Sequence, residues 1–339
     1  MMHQLDAFTL GKKLAHPEAN EDSLVIMPNL GYAVIDGVTD RNGTRFDGML
    51  SGQFASRVVQ RAIEVFLLAQ GQPDQPDLQF QGAEHFIDYL GRAIHAGYAR
   101  NNALESTAAD FKLRGGCTVM AAMIIGDRLE IIGLGDSGIR INGTDLLQVL
   151  KPLDDVTAIL RRETWRYFEA LGLGEHECDR HASLMTWQGT QNQPAGAPTA
   201  APDVVATIEQ RALAACQAHL PHVPDAELLL LIQHGISHGQ GKFQNVTEPV
   251  LAYGGIDGYP VPHTFIVTRS YKLADVETIE LFSDGYFKPG DGFGAAAWEA
   301  GFAEVEAEDP HKLGRYMSTK GTTPLQYTDD RTYLGVRLK

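Results

Sequence analysis

The chain has 339 residues, enough for one large domain or two average ones, and a formal charge of −15 from 28 Lys+Arg and 43 Asp+Glu. That acidic surplus argues against a nucleic-acid-binding face, and no apolar run reaches the ~20 residues of a membrane span, so neither nucleic acid nor membrane is an expected partner. Cys117, Cys178 and Cys216 lie too far apart for a thiolate zinc pair or a disulfide framework; the N-terminus has no signal-peptide pattern, and a cytoplasmic location is expected.

In chain order, "YAVIDG" (32–37) reads as a short buried strand that stops at Asp36-Gly37. A helix follows over roughly 50–69, where Leu50, Phe54, Val58 and Ala62 recur at helical spacing. A Pro/Asp-rich turn (71–77) leads to a second helix over about 83–104, with Phe86, Ile87, Leu90, Ile94 and Tyr98 on one face. Residues 115–150 then predict three or four strands joined by tight turns at Gly126-Asp127, Asp136-Ser137 and Asn142-Gly143. From about 151 the pattern turns helical, broken by a Gly/Pro/Ala/Gln-rich stretch (187–203) expected as a surface loop, with helices resuming near 204–219 and 226–234. Strands are expected at 263–268 and 276–285, then two short helices and a last strand at 331–338. Helices and strands in blocks predict α+β layering, with one domain over 1–339 carrying a helical insertion at 151–247.

Four aspartates share one setting: Asp36, Asp136, Asp284 and Asp329 each stand where an apolar strand meets a turn, and a Glu21-Asp22 pair precedes the first strand. Strand ends of packed sheets are rigid, so such residues can converge. Carboxylates gathered without cations raise one another's pKa, and Mg2+ or Mn2+, which prefer oxygen ligands, would relieve that.

In order, "NEDS" (20–23), "AVIDG" (33–37), "GGCTVMAAMI" (115–124), "GLGDSG" (133–138), "FQNVTEPVLAYGG" (243–255), "ELFSDGYF" (280–287) and "DDRTYLGV" (329–336) resemble the motifs of the type 2C, metal-dependent protein serine/threonine phosphatases, in a bacterial-type pattern. The resemblance implies a four-layer α-β-β-α sandwich of two antiparallel sheets flanked by helices, with 151–247 as a flap near the site. It implies hydrolysis of phosphoserine or phosphothreonine by a water bridging two Mg2+ or Mn2+ ions, on a phosphorylated protein substrate with a cognate kinase. Asp36 would bridge the two ions, the Gly37 carbonyl would bind one, and Asp284 and Asp329 would hold the other. Asp136 with Asp284 would hold a third ion, Glu21 would act through water, and Asp22 would stand beside it.

The chain departs from the family at two places. Pro17 stands where members have a phosphate-gripping arginine, leaving His16 or Lys13 as candidates, and Val38 replaces a histidine proposed as general acid. These losses keep two alternatives open: a catalytically silent relative that binds phosphoproteins or a kinase, and a phosphatase of a small phosphorylated metabolite. The letters GDSG (135–138) also surround the nucleophile of trypsin-like proteases. The next residue here is Ile139, and the upstream histidine segment and disulfides are missing, so Ser137 is expected as a turn residue bonded to backbone. His234 and His238 at i,i+4 lack the intervening glutamate of a helical zinc site, and the glycine-rich 253–260 reads as a structural loop.

Overall fold

The computed structural model describes residues 4–40, 42–72, 74–192 and 200–338. The chain divides into two compact units, Met1–Leu150 with Gly254–Val305 and Leu325–Lys339, and Lys151–Tyr253 with Glu306–Pro324.

In the first unit the elements are β1 (Gln4–Leu10), β2 (Ser23–Met27), β3 (Gly31–Gly37), a small hairpin of β4 (Arg45–Phe46) and β5 (Met49–Leu50), α1 (Ser51–Ala69), α2 (Ala83–Arg100), α3 (Leu104–Ala109), β6 (Cys117–Ile125), β7 (Arg128–Leu134), β8 (Gly138–Ile141) and β9 (Asp145–Gln148). The second unit supplies α4 (Pro152–Ala170), α5 (Glu175–Gln188), α6 (Pro202–His219) and α7 (Asp225–His234); β10 (Val267–Lys272), β11 (Thr278–Phe282), α8 (Ala295–Glu308) and β12 (Arg331–Arg337) follow. One five-stranded sheet runs β10-β7-β6-β3-β2 and the other β1-β12-β11-β8-β9. Every pairing within them is antiparallel.

Alternation along the strands builds the layers. In β3, Ala33 and Ile35 face α1 and α2, packing with Phe54, Val59, Ile63, Phe66, Leu90 and Ile94. Tyr32 and Val34 face the other way and meet Ile139, Ile279, Leu281, Leu334 and Val336 of the opposite sheet. Burial on both faces is why "YAVI" reads as an unbroken apolar run. Behind the second sheet, Trp298 and Phe302 of α8 cover Phe282 and Tyr333. The layers are therefore helix, sheet, sheet, helix: the four-layer α+β sandwich expected from the resemblance.

Four local expectations need correction. The helix expected over 83–104 stops at Arg100, because Asn102 takes a left-handed conformation (φ 54°), and α3 is separate. Residues 263–265 form a short helical turn, so the strand expected at 263–268 begins at Val267. One helix, α8, stands among the described residues where two were expected. β1 was not anticipated; it pairs with β12 from Gln4↔Arg337 to Leu10↔Arg331. The loop expected at 187–203 is narrower at both ends, since α5 runs to Gln188 and α6 starts at Pro202, and its residues 193–199 fall outside the described residues.

The second unit has its own core, in which Leu153, Ile159, Leu160 and Trp165 of α4 pack with Ile208, Leu228, Leu231 and Phe243. Two of its cations are fully buried among the described residues: Arg161, which donates to the His311 carbonyl (2.6 Å) and to Asp179 (2.9 Å), and Lys312, which donates to Glu306 and to the Asp309 carbonyl (2.8 Å). The unit runs to Tyr253 and takes in Glu306–Pro324, beyond the 151–247 insertion expected.

Candidate active site

The acids come from the ends of both sheets of the first unit. Asp36 and Gly37 close β3, Asp136 sits in the β7–β8 turn, Asp284 follows β11, Asp329 and Asp330 precede β12, and Glu21 and Asp22 precede β2. Gly37 has no room for a side chain, since a Cβ there would lie 2.5 Å from the Gly52 carbonyl oxygen and 2.6 Å from that of Glu21. Glycine thus lets the chain bearing Asp36 run against the start of α1 and the Glu21 backbone.

Asp36 and Asp284 share a hydrogen bond between their carboxyl groups, and the charges of Asp22, Asp136 and Asp329 act on the pair. Burial, then the charges of Asp22 and Asp329, pushes the Asp36 carboxyl well above the usual carboxylate range. Asp284 rises in the same direction, from burial and then from Asp36, Asp136 and Asp329. Two carboxyl groups in contact need a proton or a cation between them.

Asp22 is the extreme case. It is 2% exposed, and neither carboxylate oxygen has an aligned hydrogen-bond donor. Burial, then the charge of Asp330, raises its pKa to about 8, and the nearby Thr332 and Ser283 hydroxyls relieve it only in part.

A cation already stands on one side of this group. Lys12, just past the end of β1, points its ammonium at Glu21 Oε2 (2.9 Å), Asp329 Oδ1 (2.9 Å) and Asp330 Oδ2 (3.2 Å), and donates to Thr39 Oγ1 (2.9 Å). Burial alone would lower its pKa, but the charges of Asp329, Glu21 and Asp330 outweigh that and raise it. Its backbone N–H donates to Asp330 Oδ1 (2.6 Å), and Asp330 Oδ2 also accepts the Glu21 N–H (3.2 Å). Asp330 is therefore occupied in fixing the chain, whereas the Asp329 side chain keeps 26% exposure.

Among the described residues, no three His, Cys, Asp or Glu side chains form a converged ligand set. The donor chemistry nevertheless fits a hard divalent cation: the group is all oxygen, Asp22 is buried with no aligned donor on either oxygen, and Asp36 abuts Asp284. Of the seven carboxylates gathered here, the Lys12 ammonium pairs with Glu21, Asp329 and Asp330, while Asp22, Asp36, Asp136 and Asp284 act on one another or on their neighbours.

Lys12 is the residue that sequence reasoning missed. Of the two phosphate-gripping candidates, His16 is 69% exposed and faces Glu18 (3.1 Å), and Lys13 is exposed, its backbone bridged to Gln326. Ser137 is buried, and its hydroxyl bonds the Thr118 hydroxyl (2.9 Å) where a backbone partner was expected. His234 and His238 meet the amides of Asn192 (2.9 Å) and Gln188 (3.1 Å). Within 253–260, Ile256 bridges to Cys117 at the start of β6. All three cysteines are buried and free. No helix among the described residues is long and apolar enough to cross a membrane.

No protein-family model and no curated protein matches the chain. Among solved structures it is similar to the serine/threonine phosphatase PstP/Ppp of Mycobacterium tuberculosis, at 17% identity and a TM-score of 0.43 over 100% of both chains. It is similar to the serine/threonine phosphatase Stp1 of Staphylococcus aureus, at 13% identity and a TM-score of 0.46 over 100% of this chain and 96% of that one. A third similar structure is the catalytic domain of the phosphatase PstP in complex with two manganese ions, at 16% identity and a TM-score of 0.42 over 99% of this chain and 97% of that one.

Proposed function

We propose that this chain is a metal-dependent phosphatase of phosphoserine and phosphothreonine in proteins, with Asp36, Asp284 and Asp329 as principal metal ligands. In this reading the Gly37 carbonyl and Asp136 complete the oxygen set, Glu21 acts through water, and Asp22 supports the set from behind. The observation that carries it is the contact between the Asp36 and Asp284 carboxyl groups, at the ends of strands from opposite sheets, with Asp22, Asp136 and Asp329 close enough to raise both. The order of motifs along the chain supports phosphate ester hydrolysis as the use of such a site.

Divalent cations at such a group supply an acidified water and neutralise phosphoryl oxygens, which are the two needs of in-line displacement at phosphorus. The chain's part is to orient. β3 and β11 fix Asp36 and Asp284, and Asp330 holds the Lys12 and Glu21 amides so that neighbouring Asp329 is aimed. A phosphoprotein substrate, and a kinase that supplies it, follow from the same reading.

The test is hydrolysis of a phosphothreonine peptide by chelator-stripped protein with Mn2+ or Mg2+ restored, wild type beside Asp284→Asn. Metal-dependent turnover that the substitution abolishes supports the reading. Metal binding without turnover of the peptide, but with turnover of small phosphate esters, moves the assignment to a metabolite phosphatase. Metal binding with no turnover of either moves it to a silent phosphoprotein-binding relative, and no metal binding removes it.

A further inference from the structure

We propose that Lys12 is a resident cation of the acidic site, standing among Glu21, Asp329 and Asp330 in place of a divalent ion, so that removing its charge opens an additional metal site. The ammonium has three N–H groups, and each is committed at 2.9 Å: to Glu21, to Asp329 and to Thr39. A third carboxylate, Asp330, lies 3.2 Å away. The lysine is also fixed from its backbone, whose N–H donates to Asp330 and whose carbonyl accepts the Tyr327 N–H (2.9 Å). A side chain 6% exposed, with its donors used and its backbone clamped, is poorly placed to grip a substrate phosphate. It is well placed to neutralise acids.

Its partners give the position meaning. Glu21 and Asp329 are two of the residues assigned to the metals above, so Lys12 competes with a divalent ion for the same oxygens. Asp22, Asp36, Asp136 and Asp284 have no ion pair with Lys12, and the need for a metal is concentrated there. The inference rests on the metal reading of those acids, yet the two can fail separately.

Full-length protein stripped with chelator is titrated with Mn2+ by calorimetry, wild type beside Lys12→Gln, Lys12→Met and Lys12→Arg, and each is melted in chelator and in Mn2+. The neutral variants are expected to bind one more Mn2+ per chain than wild type. They are also expected to lose stability in chelator that Mn2+ restores, while Lys12→Arg gains no Mn2+. Neutral variants that bind Mn2+ as wild type does, lost stability that Mn2+ does not restore, or an equal gain in Lys12→Arg each overturn the proposal. Two neutral variants that fail to fold even in Mn2+ overturn it as well, leaving Lys12 a folding element. Wild type that binds no Mn2+ beside a Lys12→Gln that does would uphold Lys12 and sink the metal-dependent function. Wild type that binds Mn2+ beside an unchanged Lys12→Gln would do the reverse.

Discussion

Two buried carboxylates of the first unit meet opposite fates. Glu280, in the middle of β11 and fully buried, accepts from Arg140 Nε (2.7 Å) and Nη2 (2.8 Å), from Trp298 Nε1 (2.9 Å) and from the Tyr333 hydroxyl (2.9 Å). Arg140 is completed in turn by the Gly290 and Gly292 carbonyls. Asp22, no less buried, has no aligned donor on either oxygen. A carboxylate that the fold satisfies on every side is closed and serves packing between sheet and helix. One that the fold buries and leaves unsatisfied stays open to a proton or cation from solvent, which is the property a metal site requires.

The largest expected effect tests the closed side. Glu280→Ala strands Arg140 in the interior and should cost about 3–5 kcal/mol in urea unfolding, as breaking one half of a buried pair does. A loss below about 1 kcal/mol would mean that Arg140 is rescued by water and the network is not closed. The open side should respond in the opposite sense. Asp284→Asn should lower metal-dependent turnover by roughly 100–1000-fold or more. It should also stabilise the metal-free protein by about 1–3 kcal/mol, because a neutral amide replaces a carboxylate held among like charges. Equal destabilisation by both substitutions would erase the distinction.

The same contrast has a pH signature. In the folded chain the Asp22 pKa is raised from 3.8 to about 8, so the folded state holds a proton that the unfolded state has released. That contribution to stability is complete below the unfolded value and is lost as pH rises through the folded one. The melting temperature in chelator should therefore fall as pH rises from about 4 to 8. Mn2+ should flatten the slope by taking the proton's place, and Asp22→Asn should reduce it in chelator alone, leaving the part due to Asp36 and Asp284, which are raised in the same direction. A metal-free protein whose stability climbs steadily across that window would overturn the sign.

Much of this was legible in the sequence for a physical reason. β3, β6 and β7 are buried on both faces and read as apolar runs, and α1 shows one buried stripe along its length. Acids at strand ends stood out because an apolar run that stops at an acid beside glycine is a local pattern. What escaped depends on partners far apart in the chain. β1 is an edge strand of mixed burial whose pairing partner lies more than 300 residues away, as Gln4↔Arg337 shows. Lys12 is one of two adjacent lysines after a glycine, indistinguishable by pattern from a solvated pair, and its role exists only because residues 21, 329 and 330 reach it. His16 and Lys13 were natural candidates for the same reason in reverse, being close in sequence to "NED" and yet exposed.

The smallest expected effect concerns Ser137, which sits beside Asp136 in the β7–β8 turn. Its hydroxyl is wholly buried and bonds Thr118 on β6, so it has no open face from which to attack a substrate. Ser137→Ala removes one neutral hydrogen bond and should cost about 1 kcal/mol. Turnover of a phosphothreonine peptide should be unchanged, whereas Asp136→Asn should weaken Mn2+ dependence by removing a carboxylate whose charge acts on Asp284. Loss of activity in Ser137→Ala at unchanged stability and Mn2+ affinity would instead transfer the chemistry from the acid to the serine.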